Sequence, residues 1–171
     1  NSLKLCFLCA YVVKKIFMNK LKFALIGTGG IAQTYAQAFQ TSNCCQLVAV
    51  ADVREESAKA FAEPFGATSF ADYKTLAENS EIDAVIISTP PNTHPEIAMF
   101  FMNRGVHVLC EKPLCLSVAE AKQMIETAEK TGVVFTMATK FRYCEDVVRA
   151  KSILESGVLG EVVQFENAFT A

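Results

Sequence analysis

The stretch KFALIGTGGIAQTYA, Lys22 to Ala36, decides how the residues on either side of it are read. Lys22–Ile26 is a strand candidate whose last four residues are all apolar, as expected of a strand buried on both faces. The run breaks at Gly27. From Ile31 to Phe39, the residues Ile31, Tyr35, Ala38 and Phe39 recur at helical spacing. Between strand and helix lies Gly27-Thr28-Gly29-Gly30-Ile31-Ala32. A strand that turns through glycines directly into a helix presents that helix's free N–H groups and positive dipole end at the turn. Gly27 permits the tight turn, Gly29 lets a phosphate approach the backbone, and small Ala32 allows close helix–strand packing.

Downstream, short apolar runs alternate with amphipathic stretches. Gln46–Ala51 is a second strand ending at Asp52, and Glu55–Glu63 is a helix stopped by Pro64 and Gly66. Thr68–Phe70 is a short strand, and Asp72 caps a brief helix over Tyr73–Glu78. Ala84–Ser88 is the most strand-like run in the chain, broken by Pro90-Pro91. A helix over His94–Asn103, a strand over Val106–Cys110, and a capping box at Ser117 and Glu120 follow. That box opens a helix ending near Gly132, and Val133–Met137 is a sixth strand. Asp146–Ser156 is a further helix. Glu161–Phe169 alternates like a strand with one wet face. This alternation predicts an α/β fold, a doubly wound parallel sheet covered by helices on both sides. The last strand, different in kind, predicts the start of a second α/β domain. The expected boundaries are 1–17 for an extension foreign to the fold, 18–140 for the nucleotide-binding domain, and 141–171 for the second domain.

Three constellations carry chemistry. The glycine turn, together with Asp52 at the end of the second strand, predicts a dinucleotide: phosphate on the turn, ribose hydroxyls on the carboxylate. A carboxylate there repels a 2′-phosphate, which favours NAD. Arg54 is suited to pair with such a phosphate, so NADP stays open, and Arg54 is equally suited to be a surface charge at a helix start. Next comes Ser88-Thr89-Pro90-Pro91-Asn92-Thr93-His94, placed where loops beyond parallel strands form a ligand crevice. His94 is either a cofactor contact or simply the first residue of the next helix. The third is Glu111-Lys112-Pro113-Leu114 at the end of the fifth strand. There a lysine projecting toward a cationic ring is suited to proton shuttling.

Bulk composition narrows the alternatives. Of 171 residues, 51% are hydrophobic and 20% charged, and the formal net charge is −2, with the basic residues scattered. Nothing marks a nucleic-acid surface. The seven cysteines include the adjacent pair Cys44-Cys45 and a Cys6-x-x-Cys9 with no matching second pair, so no metal site is expected and free thiols are. The apolar part of NSLKLCFLCAYVVKKIF is shorter than the roughly 20 residues a bilayer requires. Lys14-Lys15 also stand where a signal-peptide cleavage site would need small residues. Met18 is the expected natural start of a cytoplasmic protein with no membrane partner.

The ordered set GTGGIAQ, Asp52, TPPNTH, EKPL, Phe141-Arg142-Tyr143 and SGVLGEV resembles the Gfo/Idh/MocA family, the glucose-fructose oxidoreductase and inositol dehydrogenase group. The resemblance covers roughly Lys20 to Ala171. It implies a Rossmann domain in which Gly27, Thr28, Gly29, Gly30, Ile31, Ala32, Asp52, Arg54, Thr89, Pro90, Asn92, His94, Glu111, Lys112 and Arg142 meet the cofactor. Lys112 would also take part in catalysis. Lys140-Phe141 replace the more usual Asn-Arg type pair before Arg142. The implied activity is hydride transfer between nicotinamide and a sugar, cyclitol or related polyol, in a homo-oligomer. The family's C-terminal domain, with its catalytic histidine and most of its antiparallel sheet, would lie outside this chain, leaving it inactive alone. His107 is expected to be a packed or edge residue. A regulatory nucleotide-binding module and an S-adenosylmethionine methyltransferase are the competing classes. The Glu111-Lys112-Pro113 run argues against the first, and the proline loop together with Lys112 against the second.

Overall fold

The computed structural model describes residues 20–166 and 168. The expected extension over 1–17 and the Cys6-x-x-Cys9 pair lie outside these. Strands β1 (Leu21–Ile26), β2 (Cys45–Ala51), β3 (Thr68–Phe70), β4 (Ala84–Ile87), β5 (His107–Cys110) and β6 (Phe135–Met137) form one sheet. Its order is β3-β2-β1-β4-β5-β6, and every neighbouring pair is parallel. The order reverses at β1, so the chain winds one way to β3 and the other way to β6. Register brings the strand ends level: Ile26 stands beside Ala51 on one side and Ile87 on the other. The ladder runs one residue further at each end, through Gly27 N–H to Ala51 O at 2.8 Å and Ser88 N–H to Ile26 O at 2.8 Å.

Because strand side chains alternate, the same strands feed two cores. Ala24, Ile26, Val85 and Ile87 face Leu76, Ile97, Phe101, Met102 and Met124. These come from helices α3 (Tyr73–Asn79), α4 (His94–Met102) and α5 (Val118–Thr131). Leu25, Val50 and Ile86 face the opposite way, against α1 (Ala32–Thr41) and α2 (Glu55–Ala62). Both layers are apolar, which is why β4 reads as four uninterrupted buried residues.

Helix ends follow local chemistry. Asp72 accepts from the N–H groups of Lys74 and Thr75, and Ser117 and Glu120 close a reciprocal capping box. Gly66 and Gly132 terminate their helices at φ 62° and 71°, the left-handed region that favours glycine. One expected face is corrected. Helix α1 buries Ala32, Ala36 and Phe39, whereas Ile31 is 43% exposed and Ala38 faces solvent. The helix begins one residue after Ile31, which leaves Ile31 on the turn and outside the packed stripe.

The chain divides into two compact units between Ala138 and Thr139. In the second, a 3₁₀ turn over Lys140–Tyr143 leads into α6 (Glu145–Glu155). The strand expected over Glu161–Phe169 is a further correction, because none of its described residues is in a strand. A strand exists by pairing, and among the described residues no segment pairs with this one. Val163 and Phe165 are 92% and 77% exposed.

Phe101 is fully buried in the face that α4 packs on β4. Phe101→Ala is expected to destabilise the first unit by about 3–5 kcal/mol through lost transfer energy and a cavity. The urea unfolding midpoint checks this, with the slope expected to stay unchanged.

Candidate functional site

The level strand ends place three turns side by side. Gly27 has φ 91°, and a Cβ built there would lie 2.9 Å from both the carbonyl carbon and the oxygen of Ser88. Glycine is thus required twice at this position, by conformation and by the backbone of the adjacent β4 turn. The Ser88 hydroxyl donates across the same gap to Gly27 O at 2.8 Å. Gly29 differs: a Cβ there would meet nothing within 4 Å. The turn tightens through N–H bonds from Ala32, Gln33 and Thr34 back to the carbonyls of Gly29, Gly30 and Ile31. This leaves the N–H groups of Gly29, Gly30 and Ile31 without a backbone acceptor among the described residues, in the arrangement that binds a phosphate.

Asp52 sits one residue past β2, its side chain only 8% exposed. Its Oδ2 accepts from both the N–H and the hydroxyl of Thr28 at 2.7 Å. Its Oδ1 accepts from the Arg54 N–H at 2.8 Å, with the guanidinium Nε at 3.4 Å. Burial pushes the carboxyl up, but the N–H donors of Arg54 and Thr28, the Thr28 hydroxyl and the Arg54 charge outweigh it. The group is held below the usual carboxylate value. A carboxylate fixed in this way is a charged acceptor at neutral pH.

These turns open on a groove of about 680 Å³, mostly apolar, running from Gly29 and Asp52 past Thr89 and Pro90 to Tyr73 and Glu96. Of the expected contacts, Gly27, Gly29, Asp52, Arg54, Thr89 and Pro90 line it. Thr28 is engaged with Asp52 beneath it. Ala32 is fully buried in the helix–sheet contact. Asn92 is exposed on the 3₁₀ turn Pro91–Thr93 and is not a groove residue. His94 does not face the groove. It is fully buried, with Nε2 2.8 Å from Thr89 O, and Nδ1 3.0 and 3.3 Å from the carbonyl oxygens of Pro113 and Leu114. Its ring ties the Thr89 loop to the Lys112 loop and does not line the groove in which the sequence placed it. Both ring nitrogens lie against backbone carbonyls, and the one carrying the hydrogen donates. His107 stands exposed at the start of β5 and accepts the Val134 N–H at 3.0 Å.

Glu111 is buried, 8% exposed, and shared between two elements. Tyr35 of α1 donates its hydroxyl to Oε1 at 2.7 Å, and the Lys112 N–H donates to Oε2 at 2.9 Å. Burial first, then this bond to a carboxylate, pushes the Tyr35 phenol above its ordinary value. Burial and the Glu111 charge push the neighbouring Cys110 thiol up to about 12, which makes it a packed thiol and a poor nucleophile. Lys112 is exposed, precedes a cis bond to Pro113, and has no ion pair or side-chain hydrogen bond among the described residues. Arg142 belongs to the second unit, exposed on its 3₁₀ turn. Sequence reasoning missed Tyr35 as the partner of Glu111, and Tyr73 and Glu96 as groove residues. Tyr35 and Glu111 are 76 positions apart, and no local spacing signals their contact.

Comparison with known proteins agrees with this geometry. Residues 21–139 match the oxidoreductase family with an NAD-binding Rossmann fold. The chain is 35% identical over 148 residues to glucose-6-phosphate 3-dehydrogenase of Bacillus subtilis, an alignment covering 86% of this chain and 42% of that protein. Among solved structures, myo-inositol 2-dehydrogenase from Lactobacillus plantarum superposes with a TM-score of 0.77 at 28% identity, covering 85% of this chain and 44% of that one. The WlbA dehydrogenase from Bordetella pertussis, in complex with NADH and UDP-GlcNAcA, gives 0.77 at 26% identity, with 83% and 44% covered. The chain belongs to the Gfo/Idh/MocA oxidoreductase family, and it spans less than half the length of these relatives. Among its described residues no helix is long and apolar enough to cross a membrane.

The two glycines are expected to separate by experiment. Gly27→Ala should destabilise the fold by more than about 1 kcal/mol, because the native conformation is closed to alanine. Gly29→Val should leave the unfolding free energy within about 0.5 kcal/mol of the parent, as at an open surface site, while abolishing NADH binding. The stability difference between the parent and Asp52→Asn should be full at neutral pH. It should fade as pH falls below the ordinary carboxylate value of about 3.9 and the folded protein's Asp52 protonates. Unfolding curves recorded across pH check the sign.

Proposed function

We propose that this chain is the cofactor-binding part of an NAD(P)-dependent oxidoreductase acting on a sugar, cyclitol or related polyol. The observation that carries the reading is the alignment of Gly29 with Asp52 across one apolar groove. The open space over Gly29 is a cradle that a larger side chain would fill. The unpaired N–H groups at the start of α1 suit a pyrophosphate. Asp52 is a fixed charged acceptor at which a ribose hydroxyl takes the place of the long 3.4 Å contact from the exposed Arg54 Nε, and the apolar groove beyond it suits an aromatic base. The residues present therefore fit a nicotinamide dinucleotide. Such a cofactor, when bound, supplies the site that gives or takes a hydride at the carbinol carbon of the substrate.

The chain's own residues then have separable tasks. The glycine turn and Asp52 bind and orient, with Asp52 favouring NAD and Arg54 leaving room for a 2′-phosphate. Glu111 and His94 hold the loop that carries Lys112. Lys112 donates or accepts the hydroxyl proton at its Nζ, general acid–base work from a position beyond β5. Three further points belong to the same proposal: Arg142 meets the cofactor; residues 141–171 open a substrate domain; the complete protein is a homo-oligomer. The sugar and polyol relatives support the substrate class. The chain's coverage of 42% of the Bacillus subtilis relative supports its being inactive alone.

The chain has no tryptophan, so bound NADH can be followed without that background. Saturable enhancement of NADH emission is expected, with no turnover of glucose 6-phosphate or myo-inositol above background. Saturable binding of S-adenosylmethionine with no response to NADH would overturn the reading. With the remaining C-terminal half supplied, Lys112→Ala is expected to lower kcat by about 10²–10⁴-fold. Measured NADH affinity should stay within about threefold, since the lysine acts at the substrate and not at the dinucleotide phosphates.

A further inference from the structure

Where the groove reaches α3 and α4, its polar side chains are Asp72, Tyr73 and Glu96, and none of them offers a free donor. Asp72 is turned onto its own helix, accepting the Lys74 and Thr75 N–H groups at 2.9 and 2.8 Å and the Thr75 hydroxyl at 2.6 Å. Tyr73 spends its one hydroxyl hydrogen on Glu96 Oε1 at 2.6 Å and keeps its lone pairs. Glu96 is a carboxylate, acceptor only. Lys74 lies 3.8 Å from the same Oε1, but it is not a groove residue, and Oε2 has no partner among the described residues. The Thr93 hydroxyl beside them is already bonded to Thr89 Oγ1 at 2.7 Å and Pro90 O at 2.8 Å. The Tyr73 ring is held by Phe100, edge-on at 5.0 Å, and by Phe101 at 6.1 Å. Its hydroxyl is therefore a positioned group.

We propose that Tyr73 and Glu96 form an acceptor-only edge that reads the exocyclic amine of the cofactor's base, selecting adenine over a 6-oxo purine. The inference rests on the dinucleotide reading above. An aromatic base that leaves a ribose on Asp52 and enters the apolar groove meets this edge next. An adenine amine donates to it, whereas a 6-oxo purine sets a carbonyl acceptor against it at that position and carries its donor, the N1–H, one ring atom away. The opposed lone pairs then lose their water without replacement. Glu96 is 72% exposed, so water competes and the discrimination is moderate.

The test titrates the chain with NADH and with reduced nicotinamide hypoxanthine dinucleotide, whose base carries a carbonyl at that carbon and a hydrogen on the adjacent N1, following dinucleotide emission. NADH is expected to bind about tenfold more tightly, the size of one charge-assisted hydrogen bond on a wet edge. Glu96→Gln, whose amide can donate as well as accept, should narrow the ratio to within about threefold by improving the hypoxanthine ligand. Tyr73→Phe keeps the packing on Phe100 and Phe101 and should narrow it by weakening NADH. Equal affinities in the parent chain, or a ratio that neither substitution moves, would overturn the proposal and leave the dinucleotide reading standing. No saturable binding of either dinucleotide would overturn both.

Discussion

The contact on which the site depends is Gly27 against the backbone of Ser88. Two parallel strands, β1 and β4, end level, and their turns run so close that a single methyl group would sit 2.9 Å from a peptide carbonyl. Only glycine lets the β1 turn pass. That closeness delivers the start of α1 to the same edge of the sheet as Asp52 on one side and Thr89 on the other. A looser turn would displace the free N–H groups from the groove they are meant to serve. The two apolar layers hold the strands in this register. A one-residue slip would exchange the residues feeding the two cores, with every side chain moved to the wrong face.

Around this edge the fold buries polar groups, and each is bonded. Glu111 takes Tyr35 from α1 and the Lys112 N–H from its own loop, which links the glycine-turn helix to the segment carrying the lysine. His94 sits between the carbonyls of Thr89 and Pro113, linking the β4 and β5 loops. Asp52 collects Thr28 and Arg54. Among the described residues no buried side-chain nitrogen or oxygen lacks a partner. An unsatisfied buried group would lose about 1–3 kcal/mol, so these ties hold the loops firmly only because all are complete. Binding groups on loops thereby acquire the rigidity of the sheet beneath them, which lowers the ordering entropy that a ligand must offset.

The second unit has a different physical character. Helix α6 buries none of its residues, and Val147, Val148, Ile153 and Leu154 are exposed on it. An eleven-residue helix is marginal by propensity alone, and in proteins such helices draw most of their stability from packing an apolar face. The first unit contains its own core, complete on both sides of the sheet. The second unit has no comparable core among its described residues.

The sequence by itself determined the alternation of strands and helices, the glycine turn, the caps at Asp72 and Ser117, and Asp52 as the carboxylate after the second strand. These are local patterns, set by side-chain periodicity and by the conformations that single residues allow. Tertiary structure alone decided that His94 faces two carbonyls and not the groove, since its partners lie at Thr89 and across the fold at Pro113. It also decided that Tyr35 belongs to Glu111, and that Tyr73 and Glu96 close one end of the groove. The same holds for Glu161–Phe169, whose alternation was legible although pairing, which depends on a neighbour, was not. Local propensity is written along the chain, but contacts between distant residues arise only once parallel register has brought the strand ends together.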